Sequence, residues 1–258
     1  MDGVLWHGNR PMPGLPQFFE KLAGLGIQWA FATNNSSKTR QEYVAKFAGM
    51  GVDIDPNRLM TSAIATGFYM QDEFPAGTHV YVVGGSGLVE SMQEAGMVVL
   101  DRDDYQTRAD VVVAGLNPAV TYEDLSVATL HVNAGAKFIA SNADSSYPSE
   151  RGLLPGAGAL IAVIETATEQ KAVVVGKPYP IMFQQALKLF GDGATLANTA
   201  MVGDRLNTDI VGAVGVNMPS VLVMSGITQP ADLETSEVQP DFVMADITEL
   251  AAELEKAS

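Results

Sequence analysis

Short apolar runs alternate with helix-patterned segments along this 258-residue chain, and each run ends in a polar or glycine-containing turn. No other feature constrains its fold as much. Residues 27–33 (IQWAFAT) lead into the turn Asn34-Asn35-Ser36-Ser37, and the helix expected next places Tyr43, Val44 and Phe47 on one face. A second helix is expected over 63–71, before the breakers Pro75 and Gly77. At Thr78 the rhythm restarts: HVYVVG, a helix over 88–95, DVVVAG, a helix over about 122–133, KFIAS and a helix over 157–167. From Lys171 it returns through VVVGKP, TAMVGD, SVLVMSG and DFVMAD to a short terminal helix. Such alternation predicts an α/β fold with a largely parallel sheet. The restart predicts an inserted α/β domain over 77–172, leaving 1–76 and 173–258 as a discontinuous core.

Composition narrows the function classes. A formal net charge of −15 argues against broad binding of nucleic acid or anionic membrane, which need basic patches. An anionic substrate remains open, because helix N-termini, one lysine and a metal ion can reverse the potential locally. With Cys at 0, disulfides, thiolate metal sites and cysteine nucleophiles are excluded. No apolar run approaches the roughly 20 residues of a spanning helix, and no signal segment opens the chain, so a cytoplasmic protein is expected.

Four stretches could carry chemistry. In MVGDRLNTDI, a strand over 200–202 delivers Asp204 to its carboxyl end and a helix is expected near Asp209. Two carboxylates so placed suit an oxygen-ligated Mg²⁺; they equally suit a turn residue and a helix-start acid. In FATNNSS, the Thr33 hydroxyl and the backbone N–H groups of Asn34 and Asn35 form either a phosphate cradle or an ordinary helix cap. In VVGKPYP, Lys177 can neutralise a phosphate or be merely solvated, and a loop-end lysine is expected to add little to stability. In MDGVL, Asp2 is a candidate general acid or a turn residue. The glycine-rich VVGGSGLVE lacks the third glycine of a dinucleotide fingerprint and is read as a turn of the inserted domain.

In this order, each after an apolar strand, the motifs Asp2-Gly3, Thr33-Asn34, Gly176-Lys177-Pro178 and Gly203-Asp204 with Thr208-Asp209 resemble the haloacid dehalogenase superfamily of phosphotransferases. The roughly hundred residues between the threonine and lysine motifs resemble the class IIA subgroup of NagD and p-nitrophenyl phosphatase proteins. The resemblance covers essentially the whole chain. It implies a Rossmann-like core with an inserted α/β cap, and a Mg²⁺-dependent phosphomonoester hydrolase working through an aspartyl-phosphate. It implies that Thr33, with Asn34 and Asn35, binds the phosphoryl group and that Lys177 neutralises it. Asp204 would ligate Mg²⁺ with Asp209 in support, and Asp2 would be the general acid/base while its carbonyl ligates the metal. The expected partner is a small phosphorylated metabolite, with neither nucleic acid nor membrane; a homodimer is compatible.

The family places its nucleophilic aspartate two positions before the acid/base aspartate, which falls immediately before Met1. The expectation is a natural polypeptide that extends upstream by about one strand, of ~5–6 residues, ending in that aspartate. The competing reading is a non-catalytic phosphometabolite-binding relative, and a third is transfer to an alcohol in place of water. For substrate choice the resemblance points to the cap loop SNADSSYPSERGLLPGAG, in which Asn142, Asp144, Tyr147 and Arg151 offer hydrogen-bonding groups.

Overall fold

The computed structural model describes residues 1–257 apart from 103, 105 and 150. The chain folds into two compact units: one comprises residues 1–32, 43–59 and 177–258, the other residues 33–42 and 60–176. Among the described residues, no helix is long and apolar enough to cross a membrane.

The second unit is built on a five-stranded, wholly parallel sheet. Its order is Val173–Val174, Lys137–Ala140, Val111–Ala114, His79–Val83, Val98–Val99. The central strand VVVA is buried at every position, as expected where helices cover both faces of a parallel sheet. Helices Tyr122–Asn133 and Ala157–Thr168 supply Val127, Val132, Ile161 and Ile164 to one core with Tyr81, Val112 and Phe138. Helices Ser62–Glu73 and Ser86–Glu94 approach so closely that a Cβ on Gly67 would lie 2.8 Å from the Ser91 carbonyl oxygen. The glycines of VVGGSGLVE serve packing, since Cβ atoms on Gly84 and Gly87 would meet Leu88 and the Lys38 carbonyl.

The first unit carries a three-stranded parallel sheet in the order Met201–Gly203, Ser220–Val223, Phe242–Met244. An aromatic cluster packs beside it: Trp6 on Phe47 edge-on at 5.0 Å, Phe47 on Phe31 at 4.5 Å, and Phe31 on Phe19 at 5.6 Å. Edge-on and tilted contacts suit the ring quadrupoles better than flat stacking. The unit also carries an open, mainly apolar pocket of about 780 Å³, lined by Phe19, Leu22, Met201, Val202 and Leu250 and reaching Met1.

Three local expectations are corrected. The apolar run 27–33 is a strand only over Phe31–Thr33, because an apolar sequence becomes a strand only where a neighbour takes up its backbone groups; residues 27–30 lie outside any strand and line the pocket. The helix expected near Asp209 is a π-helical turn over Leu206–Ile210 before the α-helix Val211–Gly215. The loop after residue 141 contains a β-hairpin, Ser146–Ser149 paired antiparallel with Gly152–Pro155.

The helix Tyr122–Asn133 begins with a capping box, the Thr121 side chain accepting from Asp124 N–H while Asp124 accepts from Thr121 N–H. Arg102 adds a bidentate contact to the same carboxylate. Burial pushes the Asp124 carboxyl up, and the Arg102 and Thr121 hydrogen bonds outweigh it, leaving the group below its usual range. Asp124→Ala is expected to destabilise this unit by about 1–2 kcal/mol, read as faster amide exchange across 122–133. A group depressed on folding contributes its full stabilisation above its unfolded pKa and loses it progressively below. The gap between parent and variant therefore closes as pH falls through the folded value.

Candidate active site

The strand Met201–Gly203 ends at Gly203, where a Cβ would lie 2.2–2.5 Å from the Asp209 side chain; only glycine lets Asp209 fold back over the strand end. The π-helical turn completes that fold-back, the Arg205 carbonyl accepting from both Asp209 N–H (3.0 Å) and Ile210 N–H (3.2 Å). Asp209 Oδ2 accepts from the N–H groups of Asp204 and Arg205, each at 3.2 Å, and Oδ1 accepts from Lys177 Nζ at 2.6 Å. The two side chains are 7% and 6% exposed, so this is a desolvated ion pair. Burial raises the Asp209 carboxyl, but the Lys177 ammonium overrides it and holds the group ionised, below its usual range.

Asp204 is also buried, and its environment differs. Burial pushes its carboxyl up, only partly offset by the Ile227 N–H that donates to Oδ2 at 3.0 Å, and Asp209 raises it further. Thr228 locks the Asp204 backbone, its Oγ1 donating to the Asp204 carbonyl at 2.7 Å. Gly3 and Gly226 close on the carboxylate, and a Cβ on either would fall 2.3 or 2.2 Å from Oδ2. The Ser225 hydroxyl donates to the Gly3 carbonyl at 2.8 Å, tying the opening turn to the same wall. Asp2 is exposed in that turn, with Oδ1 accepting from Gly8 N–H at 3.4 Å. The buried Met1 nitrogen lies in the field of Lys177, Asp209, Asp204 and Asp2.

This donor set fits a hard divalent cation. Asp204 Oδ1 accepts no hydrogen bond among the described residues, whereas both Asp209 oxygens are engaged. Among the described residues, no group of three or more His, Cys, Asp or Glu side chains gathers to enclose a metal. Mg²⁺ needs no such cage, because it keeps waters and uses one or two carboxylates with substrate oxygens.

The other candidate residues gather in the second unit. Thr33 Oγ1 accepts from Asn35 N–H at 3.3 Å, which leaves its proton free to donate. Asn35 Oδ1 accepts from Ser37 N–H (2.9 Å) and Oγ (2.7 Å), so the turn is tied by its own side chains. The Asn34 side chain donates to Asp144 at 3.0 Å, and Asn142 donates to the Asn34 carbonyl at 2.8 Å. Tyr147 and Arg151 lie apart from this network: Tyr147 is half-buried on the hairpin and Arg151 is exposed in its turn. Sequence reasoning gave Ser62 no role; its Oγ donates to the Asn34 carbonyl at 2.6 Å. Thr228 was missed, since nothing local connects it with a carbonyl 24 positions earlier.

The expectation that Lys177 contributes little to stability is corrected, because its partner is a buried carboxylate. Lys177→Met is expected to destabilise the first unit by about 3–5 kcal/mol, since it strands Asp209 without a counter-charge. Adding Asp209→Asn should recover most of that loss in urea unfolding followed by fluorescence, because both tryptophans, Trp6 and Trp29, lie in this unit. Equal instability of single and double variants would show that the charge is not the cause.

Comparison with known proteins agrees with this geometry. Residues 1–98 match the family of haloacid dehalogenase-like hydrolases, and residues 174–250 match a second family of the same type. The chain is 40% identical over 256 residues to an acid sugar phosphatase of Staphylococcus aureus, covering 99% of this chain and 96% of that protein. Among solved structures, 4-nitrophenylphosphatase of Thermotoga maritima superposes with a TM-score of 0.90 at 35% identity, over 98% of this chain and 94% of that one. The glycerol phosphate phosphatase of Mycobacterium tuberculosis, solved with magnesium, superposes with 0.87 at 32% identity, over 97% and 74%. The chain therefore belongs to the haloacid dehalogenase-like hydrolases, as a phosphatase of their class IIA, NagD-like group.

Proposed function

We propose that this phosphatase is a Mg²⁺-dependent phosphomonoester hydrolase that acts through an aspartyl-phosphate on a small phosphorylated metabolite, with sugar phosphates the leading class. The observation that carries the reading is the buried Lys177–Asp209 pair at 2.6 Å beside Asp204, whose Oδ1 is uncommitted. Phosphoryl transfer is catalysed mainly by positioning and by neutralising charge on the equatorial oxygens, and these residues offer both. The substrate class is supported by the names of the relatives, acid sugar phosphatase and glycerol phosphate phosphatase.

In this reading the Thr33 hydroxyl donates to a phosphoryl oxygen, with Asn34 and Asn35 shaping the turn that receives it. Lys177 neutralises phosphoryl charge and is itself held in place by Asp209. Asp204 and the Asp2 carbonyl hold Mg²⁺, with Asp209 in support; when bound, the ion supplies further neutralisation of phosphate charge. The nucleophile is the aspartate that the family places two positions before the acid/base aspartate. Its carboxylate attacks phosphorus as the bond to the leaving oxygen breaks, and that oxygen takes the Asp2 carboxyl proton. A water then gives a proton to Asp2 and attacks phosphorus as the bond from phosphorus to the aspartate oxygen breaks, releasing inorganic phosphate and restoring the nucleophile as a carboxylate and Asp2 as the carboxylic acid. Tyr147 and Arg151 meet the leaving group.

The test uses the natural full-length polypeptide. Asp204→Asn should abolish the rise in Tm that Mg²⁺ produces in the parent and lower kcat/KM for a sugar phosphate roughly 10²–10³-fold. A Mg²⁺-dependent Tm unchanged in that variant would remove Asp204 from the metal. Joint replacement Tyr147→Ala and Arg151→Ala should shift the ratio of kcat/KM on a sugar phosphate to that on p-nitrophenyl phosphate by about tenfold, the scale of one lost polar contact. An equal loss on both substrates would take the hairpin out of substrate choice.

A further inference from the structure

Asn34 is anchored at both its backbone and its side chain. Its carbonyl accepts from Ser62 Oγ at 2.6 Å and from Asn142 Nδ2 at 2.8 Å, and its own Nδ2 donates to Asp144 Oδ1 at 3.0 Å. Asn142 in turn accepts from Asp144 N–H at 3.2 Å through Oδ1. The orientation of the Asn142 amide is therefore dictated: a carbonyl acceptor faces one end and an N–H donor the other. Ser62 is 0% and Asn142 3% exposed, which leaves neither any surface for a ligand.

The segment that carries Asn142 and Asp144 is itself clamped. The Asp144 carbonyl accepts from Gly158 N–H and the Ser145 carbonyl from Gly156 N–H, both at 2.9 Å, at the start of the helix Ala157–Thr168. A Cβ on Gly156 would lie 2.2 Å from the Asp144 carbonyl oxygen and one on Gly158 2.5 Å from that of Ala143. On Gly176, a Cβ would meet the Ser141 carbonyl oxygen at 2.7 Å, Asn142 Cβ at 2.8 Å and Asn34 Oδ1 at 2.9 Å. Three glycines thus let the 141–145 backbone approach closely enough for its side chains to reach Asn34.

We infer that Ser62, Asn142 and Asp144 are positioning residues that hold the Thr33–Asn35 turn in its receiving shape, while substrate discrimination belongs to the hairpin bearing Tyr147 and Arg151. The inference rests on the proposed phosphatase reading for its kinetic consequence and on the hydrogen bonds alone for its structural one. Because the clamp acts on the turn and not on the leaving group, its loss weakens every phosphomonoester alike.

Two variants test it in the natural full-length protein. Asn142→Asp replaces the donor facing the Asn34 carbonyl with a second acceptor, and Ser62→Ala deletes the other donor. Each should speed amide exchange across residues 33–37 about tenfold and lower kcat/KM by a common factor, roughly 10–100, on a sugar phosphate and on p-nitrophenyl phosphate. Asn142→Gln, which keeps the amide, should restore part of both. Unchanged exchange in Ser62→Ala, the milder change, would overturn the clamp whatever the kinetics. A change in the substrate ratio above about fivefold in Asn142→Asp would overturn it too, by making Asn142 a substrate contact. Faster exchange in a protein whose parent hydrolyses neither substrate would uphold the clamp and refute the phosphatase reading instead.

Discussion

A lysine and an aspartate buried together are tolerable only as a pair, and the Lys177–Asp209 contact organises everything around it. Desolvation opposes each charge separately, and the close approach of the two offsets it only when the remaining acceptor sites are also satisfied. That requirement explains the surrounding backbone. Gly203 must lack a side chain for Asp209 to return over the strand end, and the π-helical turn supplies Asp209 and Ile210 N–H groups to the Arg205 carbonyl. The second Asp209 oxygen takes the N–H groups of residues 204 and 205. Replacing such a buried pair by apolar residues is often neutral or stabilising, so its worth to the fold lies less in net stability than in the backbone it fixes around the strand end.

Asp204 and Asp209 are five residues apart and oppositely tuned. Asp209 faces a cation and is held ionised, while Asp204 faces burial and a neighbouring carboxylate that raise its pKa. A group in the second situation gains most from a divalent cation, because the ion removes the repulsion that burial magnifies. The different hydrogen-bonding of the two carboxylates leads to the same division: one positions, the other has an oxygen to give.

The same economy appears in the second unit. There the residues closest to the phosphate-turn motif are uncharged or half-buried polar groups that hold backbone in place: Ser62 and Asn142 on one carbonyl, Asp144 on one amide. Buried amides and hydroxyls with every strong bond made rigidify a loop at lower desolvation cost than charges do. Parallel strands make this arrangement available, because their carboxyl ends present loops whose residues are free of the ladder.

The α/β class, the parallel strands and the order of the motifs were legible in the sequence, because apolar runs and turn residues are local signals that survive folding. So were Asp204, Asp209, Lys177 and the Thr33 turn as candidate chemistry. What tertiary structure alone decided is which of these groups are in contact and which are dry. The burial of Lys177, for which the sequence left a solvated loop end open, depends on a partner 32 residues away. Asn142 and Tyr147 share one loop in the sequence; folding buries the first in a clamp and leaves the second on a hairpin strand. Thr228 and Gly226 wall Asp204 from a distance of more than twenty residues. Periodicity reports the face a residue takes on its own element, whereas desolvation and pairing are set by residues that only the folded chain brings near.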